Sequence, residues 1–89
     1  MKFNAKIFVT LHPAVLDPAG TAVREALNQL EAQELHAPVQ TLDVRIGKYI
    51  EVTLDAPDAA TATAHAEQAC DRLLANPVIE TYRVEVIAL

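Results

Sequence analysis

The amino-acid sequence predicts a small α+β fold, a two-layer sandwich with two helices on one face of a small sheet. Three observations lead there. Stretches near both ends and in the middle alternate apolar and polar residues with the period of a half-buried strand. Between them lie two helical stripes, each introduced by an aspartate beside a proline. The 89 residues correspond to one domain, 1–89, whose core is thin enough that self-association is expected. The element order is β-α-β(β)-α-β.

Residues 2–11 open the chain with clean alternation. Phe3, Ala5, Ile7, Val9 and Leu11 share one face; Lys2, Asn4, Lys6, Phe8 and Thr10 share the other. Phe8 is the apolar exception on the polar face, as a contact with another subunit would require. Asp17 then offers an N-cap carboxylate and Pro18 a first helical residue that needs no N–H partner. Val23, Ala26, Leu27 and Leu30 form the apolar stripe of a helix expected over about residues 18–32, with Pro38 as its outer limit.

In residues 42–54, Leu42, Val44, Ile46, Ile50, Val52 and Leu54 share one parity, interrupted by Lys48. Two architectures fit: one long strand bent near Gly47, or a hairpin turning at Gly47-Lys48-Tyr49 that pairs Ile46 with Ile50 and Val44 with Val52. The second helix starts at Pro57-Asp58 with Asp58 as N-cap. Ala62, Ala66, Ala69, Cys70, Leu73 and Leu74 are its expected buried stripe, and Asn76-Pro77 its end. A last strand over 78–89 sets Tyr82, Val84 and Val86 on one face and Ile79, Ile87 and Leu89 on the other. Phe8, Ile79 and Ile87 are the candidate homo-oligomer face.

Composition narrows the function classes. Seven basic and twelve acidic residues give a net charge of −5, the wrong sign for releasing counterions from a nucleic acid. There is no tryptophan, and the aromatics are Phe3, Phe8, Tyr49 and Tyr82, so a base-stacking platform is not expected. The single cysteine, Cys70, forms no internal disulfide and suits a reducing compartment. No apolar run approaches the ~20 residues of a membrane span, and the first residues alternate rather than forming a secretory segment. A cytoplasmic chain is expected.

A search for chemistry finds little. His12, His36 and His65 fall in different elements, without the spacing of a metal site. Cys70 lies on the apolar stripe of the second helix and reads as a packing thiol. Arg45-Ile46-Gly47-Lys48 sets two cations beside a glycine, which can hold a phosphate. The simpler reading is a turn or bulge whose charges are solvated or paired with Asp43 and Glu51. No nucleophile stands with a base, so no catalytic residue and no metal ligand is assigned.

Three ordered blocks nevertheless carry a resemblance. Val9-Thr10-Leu11, followed by Val15-Leu16-Asp17-Pro18-Ala19-Gly20 with Ala22-Val23 and Ala26-Leu27, resembles the opening of the PurS family. Asp43-Val44-Arg45-Ile46-Gly47-Lys48-Tyr49-Ile50-Glu51-Val52 resembles that family's most distinctive block. Leu73 to Glu85, with Asn76-Pro77-Val78-Ile79-Glu80 at its centre, is similar to its closing helix and strand. The chain departs from the pattern after the first helix. There Leu30 to Pro38 is longer than the usual link and lacks a leucine-glycine step.

The resemblance implies the small subunit of phosphoribosylformylglycinamidine synthase, in de novo purine synthesis. It implies a non-catalytic chain that joins a glutaminase subunit to a synthetase subunit and supports ammonia passage between them. ATP and Mg would be used by the synthetase, with no cofactor bound here. The chain would also form a dimer or tetramer. Arg45, Gly47, Lys48 and Tyr49, in the distinctive block, are the residues carried over as partner-facing. The alternative is a small dimeric regulatory domain binding an amino acid or nucleotide at a subunit interface.

Overall fold

In a computed structural model describing residues 1–36 and 38–89, strand β1 (Lys2–Leu11) is the centre of a three-stranded antiparallel sheet. Strand β2 (Lys48–Asp55) pairs on one side of it and β3 (Glu80–Ala88) on the other. Helices α1 (Pro18–Gln33) and α2 (Ala59–Ala69) complete the α+β set. The described residues cluster into two units, one of residues 1–12 with 47–89, the other of residues 13–46.

In the first unit, alternation fixes which face is buried. Phe3, Ala5, Ile7 and Val9 of β1 are all at most 1% exposed. The register sets Ile7 between Ile50 and Val84, and Ala5 between Val52 and Val86. Helix α2 covers this face with small residues: Ala62, Ala66 and Cys70 are buried, so the helix backbone approaches the sheet closely. Two clusters form the core, Ile7, Val9, Cys70 and Ala75 in one, Phe3, Ala56 and Ala62 in the other.

The end of α2 corrects one expectation. Cys70–Leu74 is a π-helical turn, closed by Ala75 N–H donating to the Cys70 carbonyl at 3.0 Å. The extra residue per turn keeps Cys70 and Leu74 facing the sheet and turns Leu73 outward, 82% exposed rather than buried. Asn76 then builds the corner into β3. Its carbonyl accepts from Ile79 and Glu80 N–H, its Oδ1 accepts from Val78 N–H, and its own N–H donates to Glu80 Oε1. Ile79 therefore lies in the turn before β3, not on the strand.

The 42–54 region follows neither anticipated architecture. Only residues from Lys48 onward are strand, and no hairpin turn occurs at 47–49. Residues 39–46 run without a bend or turn as part of the second unit, held at Thr41 by Asn28 of α1 and at Ile46 by Asp17, the residue that precedes α1, rather than by a strand partner. Gly47 is needed for closeness rather than for a turn. A Cβ there would stand 2.1 Å from the Val9 carbonyl oxygen.

Helix α1 starts as its sequence dictates. Asp17 is extended at φ −109°, its Oδ1 accepts from Gly20 N–H at 2.9 Å, and Pro18 takes the first turn. At the other end Glu34 and Leu35 N–H both donate to the Leu30 carbonyl, and His36 follows in the left-handed region at φ 48°. A histidine thus holds a backbone conformation that favours glycine, at a cost of about 1 kcal/mol. Of the connection Leu30–Pro38, Ala37 lies outside the described residues.

Candidate interaction surface

The face of the sheet turned away from α2 is built by three strands in register. One row across it reads Tyr49, Phe8, Arg83; the next reads Glu51, Lys6, Glu85; the next reads Thr53, Asn4, Ile87. Phe8 is the hub. Its ring lies 5.1 Å from that of Tyr49 at 39°, and the Arg83 guanidinium stands 4.3 Å above its centroid. Arg83 also pairs with Glu85, and Tyr49 Oη donates to Glu51 Oε1 at 2.7 Å. That hydrogen bond, with desolvation and the Glu51 and Glu85 charges added, pushes the Tyr49 phenol up to about 12.

These groups make a mixed surface: a flat aromatic and guanidinium end, a central lysine opposite two glutamates, and Ile87 half-exposed at the other end. Aromatic side chains anchor protein interfaces because they bring large area with few rotors, and arginine does so because its planar guanidinium stacks on rings and donates several hydrogen bonds. Beside Ile87, Asn4 Oδ1 is shielded from solvent and, among the described residues, has no hydrogen-bond partner. A buried unsatisfied carbonyl is costly, and a donor from a docked partner would relieve it.

In the second unit the same economy appears around Asp17, which is 6% exposed. Its Oδ2 accepts Ile46 N–H at 2.8 Å while Oδ1 caps α1. Those two main-chain donors, Ile46 first, hold its carboxyl below the ordinary range, with Arg45 acting in the same sense. Gly20 lets the segment lie close, since a Cβ on it would meet the Val44 carbonyl oxygen at 2.0 Å. Arg45 donates to the Pro13 carbonyl at 2.8 Å and also to that of Val15, and its Nε is 3.8 Å from Asp43 Oδ2. Farther along, Asn28 exchanges two hydrogen bonds with the main chain of Thr41, at 2.8 and 3.1 Å.

The four residues carried over as partner-facing therefore divide between the units. Tyr49 stands on the outer sheet face beside Phe8, while Lys48 and Gly47 sit at the entrance to β2 opposite Val9 and Thr10. Arg45 is engaged with the 13–15 loop. Sequence reading missed Arg83 and the second bond of Asp17. Arg83 joins Phe8 only through the β1–β3 register, and Ile46 lies 29 residues from Asp17. Alternation predicts a face but not its neighbours across strands.

Chemistry of other kinds is sparse. Cys70 is fully buried, and burial pushes its thiol up, away from the reactive thiolate. Among the described residues no three His, Cys, Asp or Glu side chains converge on a metal-sized space. Nor is any helix among them long and apolar enough to cross a membrane. A cavity lined by Leu54, Pro57, Thr61 and His65 holds about 180 Å³, below the roughly 300–1,000 Å³ of small-molecule sites.

Comparison with known proteins gives one consistent answer. A Synechocystis phosphoribosylformylglycinamidine synthase subunit PurS is 53% identical over 87 residues, covering 98% of this chain and 81% of that one. The crystal structure of Methanocaldococcus jannaschii PurS, a subunit of formylglycinamide ribonucleotide amidotransferase in the purine biosynthetic pathway, superposes with a TM-score of 0.79. It is 28% identical, with 98% of each chain covered. A chain in the structure of PurLQS from Thermotoga maritima gives a TM-score of 0.74 at 32% identity, over 98% of this chain and 99% of that one. The PurS family profile, described as phosphoribosylformylglycinamidine (FGAM) synthase, matches residues 4–88. The chain belongs to the PurS family, the small subunit of FGAM synthase.

Proposed function

We propose that this chain works as the non-catalytic small subunit of FGAM synthase, holding a glutaminase subunit to a synthetase subunit and supporting ammonia transfer between them. The observation that carries this reading is the near end-to-end likeness to a chain of the Thermotoga maritima PurLQS structure. The surface chemistry supports it: the prominent exposed feature of the outer sheet face is an aromatic and guanidinium cluster suited to contact rather than a reacting set. In this reading the chain binds no cofactor, the synthetase uses ATP and Mg, and the complex works in the cytoplasm. Phe8 and Ile87 serve as self-contacts within a dimer or tetramer, and Tyr49 and Lys48 as contacts to the larger subunits.

Reconstitution tests it. The purified chain is added to the cognate glutaminase and synthetase subunits, and amidine formation is followed with glutamine or with ammonia as nitrogen source. Glutamine-driven turnover is expected to require the chain while ammonia-driven turnover does not. Equal glutamine-driven turnover with and without the chain, together with no co-elution, would sink the reading.

A further inference from the structure

We propose that the corner between α2 and β3 is a preformed plug, tipped by Leu73 and Val78, that seats in an apolar socket rimmed by carboxylates on a larger subunit of the synthase. The proposal rests on the subunit reading and adds a contact surface to it. Leu73 and Val78, 82% and 83% exposed, are the most exposed large apolar side chains among the described residues. Pro77 is exposed between them and Ile79 is 40% exposed, so apolar side chains gather on this corner rather than lying scattered.

The backbone is arranged to present these side chains. An α-helix continued through residues 70–74 would bring Leu73 back towards the sheet, on the stripe of Ala66 and Cys70. The π turn sends it outward while Leu74 stays packed on the core. Asn76 then fixes the turn. Its carbonyl accepts from Ile79 and Glu80 N–H, and its Oδ1 accepts from Val78 N–H at 3.1 Å. With these main-chain donors taken, the corner offers a partner side chains rather than a strand edge. A tip already fixed loses little conformational freedom on docking.

The charges of the corner select the rim of the socket. Asp71 accepts the Tyr82 hydroxyl at 2.8 Å, and Glu80 accepts Asn76 N–H at 2.7 Å. Arg72 is exposed and, among the described residues, forms no ion pair. The open charge beside Leu73 is therefore positive, on a chain of net charge −5, and it complements an acidic rim. A second copy of the chain fits poorly. Two projecting corners meet without a recess, and a two-fold contact there brings Arg72 towards its own equivalent.

Leu73→Asp, Val78→Asp and Arg72→Glu variants of the full chain test this contact. All three replace exposed side chains, so the melting temperature and oligomeric state of the parent are kept. Each variant is titrated against the cognate synthetase and, separately, the cognate glutaminase, beside the parent chain. Towards one of the two, Leu73→Asp and Val78→Asp should each weaken binding by about tenfold or more, as loss of a buried apolar anchor does. Arg72→Glu should weaken the same contact by about fivefold at low salt and by less at high salt. Binding within about twofold of the parent for all three variants, towards both subunits, overturns the plug and leaves the subunit reading standing. Weakened binding that tracks a changed oligomeric state overturns it too, because the corner then serves contacts between copies. A parent chain that binds neither subunit sinks the subunit reading, and this contact with it.

Discussion

Asp17 shows how much a single carboxylate can organise when both oxygens are used. One oxygen caps α1 through Gly20 N–H and the other accepts Ile46 N–H, so losing the charge loosens a helix start and a distant segment together. The direction of the pH effect follows from the carboxyl being lowered below its ordinary value in the folded chain. Its contribution is fully present above the unfolded value near 3.9 and is lost as pH falls through the lower folded value. Asp58, lowered by the Thr61 main-chain bond, behaves alike. Asp17→Asn keeps an acceptor for one N–H but removes the charge. It should lower the melting temperature at neutral pH by about 5 °C and flatten the acid side of the stability profile without abolishing it. An unchanged acid profile in thermal melts between about pH 2 and 5 would contradict this account.

At the scale of elements, the turn Cys70–Leu74 decides which leucine matters. Leu74 packs against the cluster of Ile7, Val9 and Cys70, whereas Leu73 faces solvent. Leu74→Ala should cost about 2–3 kcal/mol, while Leu73→Ala should stay within about 0.5 kcal/mol in urea unfolding. The opposite ranking would mean that the helix continues as α through this turn. The same element shows what was legible beforehand. Periodicity located α2, its cap at Asp58 and its alanine face, because those follow from local spacing. It missed the π turn, which inserts one residue into the winding and leaves no mark in composition. Residues 42–46 were misread as strand for a related reason. Their alternation is real, but strand formation requires a partner, and here Asp17 and Asn28 side chains take the end positions. Phe8, Tyr49 and Ile87 of the candidate surface were visible as apolar or aromatic residues out of place. Arg83 needed the register, since nothing local joins residue 83 to residue 8.

For the molecule as a whole, the two tyrosines set an upper pH limit from opposite faces of the sheet. Tyr49 Oη donates to Glu51 on the outer face, and Tyr82 Oη donates to Asp71 Oδ1 at 2.8 Å on the face covered by α2. Each phenol is held to about 12, first by its carboxylate partner and then by desolvation. The fold therefore favours the protonated phenols. Their contribution is complete below the unfolded value near 10 and is lost as pH rises from there through about 12, because the unfolded chain sheds these protons first. The tyrosinate absorbance of the folded chain should accordingly titrate near 12 for both groups, moving to about 10 in concentrated urea. Replacing Tyr49 by Phe should preserve the stacking on Phe8 yet remove one of the two steps, so the melting temperature falls less steeply above pH ~10. Native titration of both phenols at the unfolded value would show that neither carboxylate holds its hydroxyl, and the alkaline limit would then need another cause.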